Sequence, residues 1–321
     1  MPTRTSAVPA GSAVGPPASD AAELALGLLA EPASISPKYL YDDLGCKLFE
    51  AICLLPEYYL TRLEASIVAA NIGSIGKLAG PSPTLIDLGA GNCAKAAALI
   101  PRLVPRHYVP VDIAGDFLRE SALALRKRFP MLDVVPIVED FSHHLQLPAC
   151  IPLTRRLFFY PGSSIGNFSP AGALSLLRHI REQCGPDGGL LLGVDLIKDE
   201  HVLRHAYDDG LGLTAAFNLN ILRRSNELLG SDFDVHDWMH QIDYNTTEQR
   251  IEMHLCARRA VTVRWPDGER RFRLGERIHT ENSYKFSLPG IEQLLNGARF
   301  RMTRAWTDAE SWFAVIHARA A

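Results

Sequence analysis

From residue 84 onward the apolar positions gather into short continuous runs: TLIDLGA (84–90), HYVPVDI (107–113), DVVPIVEDF (133–141), RRLFFYPGS (155–163) and GGLLLGVDLI (188–197). Each is rich in Val, Ile, Leu or Phe and too short for a helix, so each predicts a strand buried on both faces. Between them, AGDFLRESALALRKRF (114–129) and PAGALSLLRHIREQC (170–184) space their apolar residues at helical intervals. Buried strands alternating with helices predict right-handed βαβ units and an α/β fold, with a parallel sheet covered on both faces.

On either side the pattern differs. DAAELALGLLA (20–30) reads as a helix with Asp20 at its N-cap, and residues 36–80 are mostly helical in spacing and dense in aromatics. From about 199 the alternation stops. HVLRHAYDDGLGLTAAFNLNILRRSNELL (201–229) reads as helical, while QRIEMHLCARRAVTVRW (249–265) and RRFRLGERIHTE (270–281) read as antiparallel strands. The last stretch, RFRMTRAWTDAESWFAVIHARA (299–320), predicts two strands joined by a turn that close the edge of the earlier sheet. The expected organisation is an arm at 1–21, N-terminal helices at 22–61, a sheet domain at 62–198, an inserted α+β segment at 199–285 and a return to the sheet at 286–321.

Composition narrows the class. A chain of 321 residues has ample length for a core, and 47% hydrophobic with 21% charged residues is ordinary for a globular protein. The net charge of −3 gives no reason to expect nucleic acid or an anionic membrane as partner. No apolar run approaches the roughly 20 residues of a membrane span. Six scattered cysteines without a C-x-x-C pair read as reduced thiols, and His143–His144, adjacent on a loop, do not suggest a metal site. The first 20 residues are rich in Pro, Ala, Gly and Ser and lack the apolar segment of a signal peptide, so a disordered arm and a cytoplasmic, monomeric protein are expected.

The segment LIDLGAGNCAK (85–95) carries the first chemistry. Gly89 and Gly91 follow a buried strand, where glycine permits a tight turn and close approach of a ligand to the next helix N-terminus. Asp112 lies 21 residues after Gly91 at the end of the next apolar run, placed to accept from both hydroxyls of a ribose. Ala94 stands where a dinucleotide fingerprint has its third glycine, and Lys95 is the one basic residue nearby. Asp140 and Phe141 at the tip of the third strand can meet an adenine through a carboxylate and a backbone N–H. NAD and S-adenosylmethionine both fit this pattern, and the strand tips lean toward the second.

The motifs YDDLGCKLFEAICLLPEYYLTRLE, LIDLGAGNCAK, GSSIGNFSP, LLLGVDLIKD, AYDDGLGLTAAFNLNIL, DFDVHDW, RIEMHL and TENSYKF occur in this order. Together they resemble the histidine-specific Nα-methyltransferases of ergothioneine biosynthesis, over residues from about 38 to 312. The resemblance implies a Rossmann-like, class I S-adenosylmethionine-dependent sheet with an inserted α+β substrate-binding part. It implies trimethylation of the α-amine of L-histidine to hercynine. Gly89, Lys95, Asp112, Asp140 and Phe141 fall on the family's cofactor positions.

For the substrate, the resemblance assigns Asn167 and Tyr207 to the amino acid carboxylate, Glu281 and Ser283 to the imidazole, and Met253 to the wall around the ring. It assigns Tyr41 to the amine being methylated and Tyr58 to a further histidine contact, beside Phe49; Tyr59 reads as helix packing. An amide and a phenol can bind a carboxylate without a cation beside the sulfonium. A carboxylate and a hydroxyl can grip both ring nitrogens. Asn282 points away from the pocket if TENSYKF is extended. The reaction needs alignment, exclusion of water and a neutral amine, with neither metal nor covalent intermediate. The alternatives are a methyltransferase of another aromatic amino acid or amine, a nicotinamide oxidoreductase, and a catalytically silent binding protein.

Overall fold

The computed structural model of the protein describes residues 19–142 and 145–321; most of the expected arm and the His143–His144 pair lie outside the described residues. The helices are α1 (Asp20–Leu29), α2 (Asp43–Ile52), α3 (Tyr59–Ala79), α4 (Ala94–Leu103), α5 (Gly115–Arg128), α6 (Pro170–Cys184), α7 (Glu200–Tyr207), α8 (Leu213–Leu229) and α9 (Leu288–Gly297). The strands are β1 (Ala33–Ser34), β2 (Thr84–Leu88), β3 (His107–Asp112), β4 (Asp133–Val134), β5 (Ile137–Val138), β6 (Arg156–Tyr160) and β7 (Gly189–Asp195). They continue as β8 (Trp238–Asn245), β9 (Arg250–Ala257), β10 (Val261–Trp265), β11 (Gly268–Phe272), β12 (Arg277–Tyr284), β13 (Phe300–Thr307) and β14 (Phe313–Ala320).

The large sheet has the order β13-β14-β7-β6-β2-β3-β4, with β5 also on β3. Strands β2 to β7 run parallel, and β13 and β14 form an antiparallel pair added beside β7. The C-terminal hairpin therefore closes that edge as the pattern predicts. Successive residues feed opposite faces: Leu157 and Phe159 join α3, α4 and α5 in one core, while Phe158 and Tyr160 join α6 and α9 in the other. Burial on both faces is why these strands read as unbroken apolar runs. Strand β2 lies between β3 and β6, so chain connections leave it in opposite directions. A crevice opens there at the carboxyl ends of the strands.

Several elements differ from the sequence reading. DVVPIVEDF is two short strands, because Pro136 has no N–H for the ladder; β4 pairs with the start of β3 and β5 with its end. Asp140 and Phe141 therefore sit in a turn beyond β5. Ser19, not Asp20, caps α1, its hydroxyl accepting from the Ala22 N–H at 3.3 Å. Strand β8 and helix α9 have no counterpart in the sequence reading. In β8 only Trp238 and Ile242 are buried, which leaves too few apolar positions to mark a strand.

The second sheet has the order β1-β12-β9-β8 and packs on α8, with β1 from near the N-terminus lying parallel to β12. The two sheets meet around the ends of β6 and β7. Buried Glu64 of α3 accepts from the Gly162 N–H at 2.9 Å and pairs with Lys95 of α4 at 2.7 Å. Gly193 in β7 makes room for it, since a Cβ there would lie 2.0 Å from Glu64 Oε1. Gly193→Ala should dislodge the Glu64 carboxylate from the Gly162 loop. A loss on the order of 2 kcal/mol is expected for a buried charged group stripped of a partner, read by denaturant titration; an unchanged midpoint would refute the wedge.

Candidate active site

One cavity lies where the loop after β6 faces the second sheet. Its walls include Tyr41, Tyr58, Asn167, Tyr207, Met253, Glu281 and Ser283, the seven residues expected to touch the amino acid. They come from distant parts of the chain. Tyr41 precedes α2, Tyr58 precedes α3, and Asn167 ends a 3-10 turn (Ser164–Asn167) after β6. Tyr207 closes α7, while Met253 lies on β9 opposite Glu281 of β12.

Local backbone explains the β12 wall. The β9–β12 register slips between His279 and Glu281, and the extra residue, Thr280, donates its hydroxyl to the Met253 carbonyl at 3.1 Å. Beyond that bulge, alternation turns Glu281 and Ser283 to the cavity. Asn282 instead takes a hydrogen bond with His279 Nε2 at 3.0 Å and is absent from the cavity wall. Gly166 lets the 3-10 turn seat against β12, because a Cβ there would come within 2.8 Å of the Tyr284 carbonyl oxygen.

The polar and aromatic halves of the cavity differ in character. Tyr41, Phe49, Tyr58 and Phe217 stand edge to face or tilted, with ring centroids 5.5–6.0 Å apart. Burial pushes the phenols of Tyr41 and Tyr58 well above their usual value, so both stay protonated. Glu281 is 7% exposed, and its Oε2 is buried without a hydrogen-bond partner. Burial raises its carboxyl to about 7, against a smaller opposing pull from Lys285. Orphaned polar atoms of this kind are rare in folded proteins and point to a polar ligand.

Behind the wall is a charge cluster that the sequence reading did not find. Lys285, fully buried, reaches Asp195 at 2.9 Å, Ser283 Oγ at 2.7 Å and the Tyr207 hydroxyl at 3.0 Å. Asp195, at the end of β7, also accepts from the Tyr59 hydroxyl at 2.9 Å and pairs with Lys198. Tyr59 is thus more than helix packing, since its hydroxyl also accepts from Lys198 at 2.9 Å. A signal for Lys285 was present in TENSYKF: residues 281, 283 and 285 share one face of an extended chain.

The glycine turn lies at the neighbouring strand ends. Gly89 and Gly91 have φ of +69° and +50°, and a Cβ on either would meet nothing within 4 Å. The turn therefore stands open to a ligand. Asp112 accepts from the Gly91 N–H at 2.8 Å on one oxygen and the Ala114 N–H at 2.9 Å on the other. Each oxygen keeps a lone pair, as a ribose diol requires. Asp140 caps its own turn through the Ser142 N–H at 3.0 Å, and the Phe141 ring meets Tyr160 edge to face at 5.8 Å. Lys95 spans from α4 to Glu64, which ties the glycine turn to the cavity loop. This donor set fits an adenosyl group. Among the described residues no group of three or more His, Cys, Asp or Glu is arranged to hold a metal ion, and no helix is long and apolar enough to cross a membrane.

Comparison with known proteins places the chain in a family. The family model described as "Histidine-specific methyltransferase, SAM-dependent" matches residues 20–320. The chain is 39% identical to the histidine N-alpha-methyltransferase of Mycolicibacterium smegmatis, over 88% of this chain and 89% of that one. It is 38% identical to the Mycobacterium tuberculosis protein of the same name, over 90% and 93%. With "Ergothioneine biosynthesis protein 1" of Neurospora crassa it shares 30% identity over 86% of this chain and 32% of that longer protein. By this match and these identities, the chain belongs to the SAM-dependent, histidine-specific methyltransferase family.

Proposed function

We propose that the protein transfers methyl groups from S-adenosylmethionine to the α-amine of L-histidine, up to the trimethylated product hercynine. The observation that carries this reading is Glu281: an unpartnered, buried carboxylate oxygen in a cavity where Ser283 offers a second polar atom on the same strand face. An imidazole satisfies both atoms with its two ring nitrogens. An indole, with one donor and no acceptor, leaves one of them unmet.

The cosubstrate supplies an electrophilic methyl group on a sulfonium, and Gly89, Asp112, Asp140 and Phe141 are the residues proposed to hold its adenosyl end, with Lys95 bracing the turn. Asn167 and Tyr207 take the carboxylate of histidine, and Glu281 and Ser283 take its ring beside Met253. This fixes the amine by its two ends. Tyr41, kept neutral by burial, orients the amine through its hydroxyl rather than acting as a strong base. The proton leaves through water. Alignment of this kind contributes on the order of 7–11 kcal/mol. The faces of Tyr41, Phe49, Tyr58 and Phe217 surround space in which positive charge on a methylated nitrogen is favoured by roughly 0.5–2 kcal/mol per ring.

Mass spectrometry of purified protein with S-adenosylmethionine and, separately, histidine, tryptophan and tyrosine tests the reading. Histidine gaining one, two and three methyl groups is expected; product from another amine alone would overturn the ring assignment. Glu281→Gln should lower kcat/KM for histidine by about 10- to 100-fold while leaving S-adenosylmethionine affinity within about twofold, as removal of one charged hydrogen bond predicts. Asp112→Ala should do the reverse, weakening S-adenosylmethionine by about tenfold or more in calorimetry.

Glu281 also sets a pH dependence of stability. Burial holds its carboxyl at about 7 in the folded state, above the ordinary 4.5. The folded state therefore keeps a proton that the unfolded chain releases, and stability falls as pH rises from about 4.5 through 7. In ligand-free protein, Glu281→Gln should raise thermal stability at pH 8, by on the order of 2–3 kcal/mol, and change it little at pH 4. A variant that is less stable than the parent at pH 8 would show that the carboxylate is not under strain.

A further inference from the structure

Lys285 directs three hydrogen bonds, to Asp195, Ser283 and Tyr207, at 2.9, 2.7 and 3.0 Å. An ammonium has three N–H groups, so none remains for a ligand. The hydroxyls of Tyr207 and Ser283 are also bonded to each other at 2.7 Å. Each hydroxyl has one proton and two acceptor positions, and Lys285 fills one acceptor position on each. The mutual bond consumes one proton of the pair and one more acceptor position. What is left for the cavity is a single O–H on one residue and a single lone pair on the other.

Only two arrangements satisfy this count. In one, Ser283 donates to Tyr207, so Tyr207 presents its proton and Ser283 its lone pair. In the other the two are exchanged, and Tyr207 turns a lone pair toward the substrate carboxylate, which repels it. We propose that Lys285 is a positioning residue that makes the histidine site polar in one sense: Tyr207 donates to the carboxylate, and Ser283 accepts from a ring N–H. This rests on the assignment of histidine as substrate, and deepens it. With Ser283 as acceptor, the other ring nitrogen and Glu281 share one proton. Ring and Glu281 together then hold two protons, as imidazolium with carboxylate or imidazole with carboxylic acid. The site thus selects rings with an N–H available at both nitrogens.

The groups facing this cluster can be named. Tyr207 is on α7, Glu281 on β12, Asp195 at the end of β7, Tyr59 on α3, and Tyr41 and Tyr58 across the cavity. Burial raises the four tyrosines, so they stay neutral. Asp195 remains between two lysines. Lys198, lowered to about 8 chiefly by burial, donates to Asp195, Tyr59 and the Leu196 carbonyl, and touches neither Tyr207 nor Ser283. Glu281 and the ligand ring are the groups whose proton count changes when the ring docks.

Calorimetry of hercynine binding to the protein with S-adenosylhomocysteine tests the proposal, because the quaternary nitrogen of hercynine has no proton to confuse the count. Titration at pH 7.5 in two buffers of different ionisation enthalpy should show uptake of at least about half a proton per ligand, with affinity falling toward pH 8.5. No uptake, or release, overturns the arrangement without any variant. Lys285→Met should weaken hercynine at least about tenfold and S-adenosylhomocysteine less than about twofold; Asp195 keeps Lys198 as its counter-ion. The loss should be largely absent in a Tyr207→Phe, Ser283→Ala background, since Lys285 acts through those two hydroxyls. Full additivity, or equal loss of both ligands, would make Lys285 merely structural. Methylation of histidine with no proton uptake would sink this proposal alone. Failure to methylate histidine or bind hercynine would remove the substrate assignment and this inference with it.

Discussion

Asp195 is the anion on which the arrangement of the site depends. It terminates β7, and three segments bring donors to its carboxylate: Tyr59 from the start of α3, Lys198 just downstream, and Lys285 beyond β12; Ser163, from the loop after β6, accepts from its backbone N–H. Removing one partner of a buried ion pair typically costs about 3–5 kcal/mol, because the remaining charge is left uncompensated in a poor solvent. The convergence is therefore specific in register. Any slip of β12 against β9 takes Lys285 away from Asp195, and Glu281 and Ser283 away from the cavity with it.

Backbone contacts repeat the same junction. The Phe286 N–H donates to the Asp195 carbonyl at 2.9 Å, and the Ile197 N–H to the Phe286 carbonyl at 3.0 Å, so the chain leaving β12 lies alongside the end of β7. Glu64 does comparable work a few residues away, holding the Gly162 N–H and Lys95. Both carboxylates are buried; Asp195 ties β7 to the chain leaving β12, and Glu64 ties α4, which follows the glycine turn, to the cavity loop. The glycine turn and the cavity are thus fixed relative to each other by charge rather than by apolar packing alone.

A cation near the site changes the picture drawn from sequence. A carboxylate ligand held by an amide and a phenol needed no positive charge, and among the described residues no ammonium lines the cavity. Yet Lys285 stands directly behind Tyr207 and Ser283. Placing the charge one hydroxyl away keeps attraction for a carboxylate while separating the ammonium from the region where a sulfonium would sit. The same lysine pulls the Glu281 carboxyl down slightly against burial, which leaves it near 7.

The sequence by itself determined the parallel sheet, since strands buried on both faces leave unmistakable apolar runs, and the open glycine turn with Asp112 at the next strand end. The unusual motifs also named seven residues of the cavity wall, because side-chain chemistry and order along the chain survive without coordinates, but not Ser163, Ser164 or Thr214 beside them. Strand β8 stayed hidden because a half-exposed strand has no strong pattern, and Pro136 disguised two strands as one. The cluster of Asp195, Lys285, Lys198 and Tyr59 was decided by tertiary structure alone. Its members are 136 residues apart in the case of Tyr59 and Asp195, and beyond the shared strand face of residues 281, 283 and 285 nothing local distinguishes a lysine that snorkels to water from one buried against an aspartate. Burial also decided the charge state of Glu281, a property of its surroundings that no motif encodes.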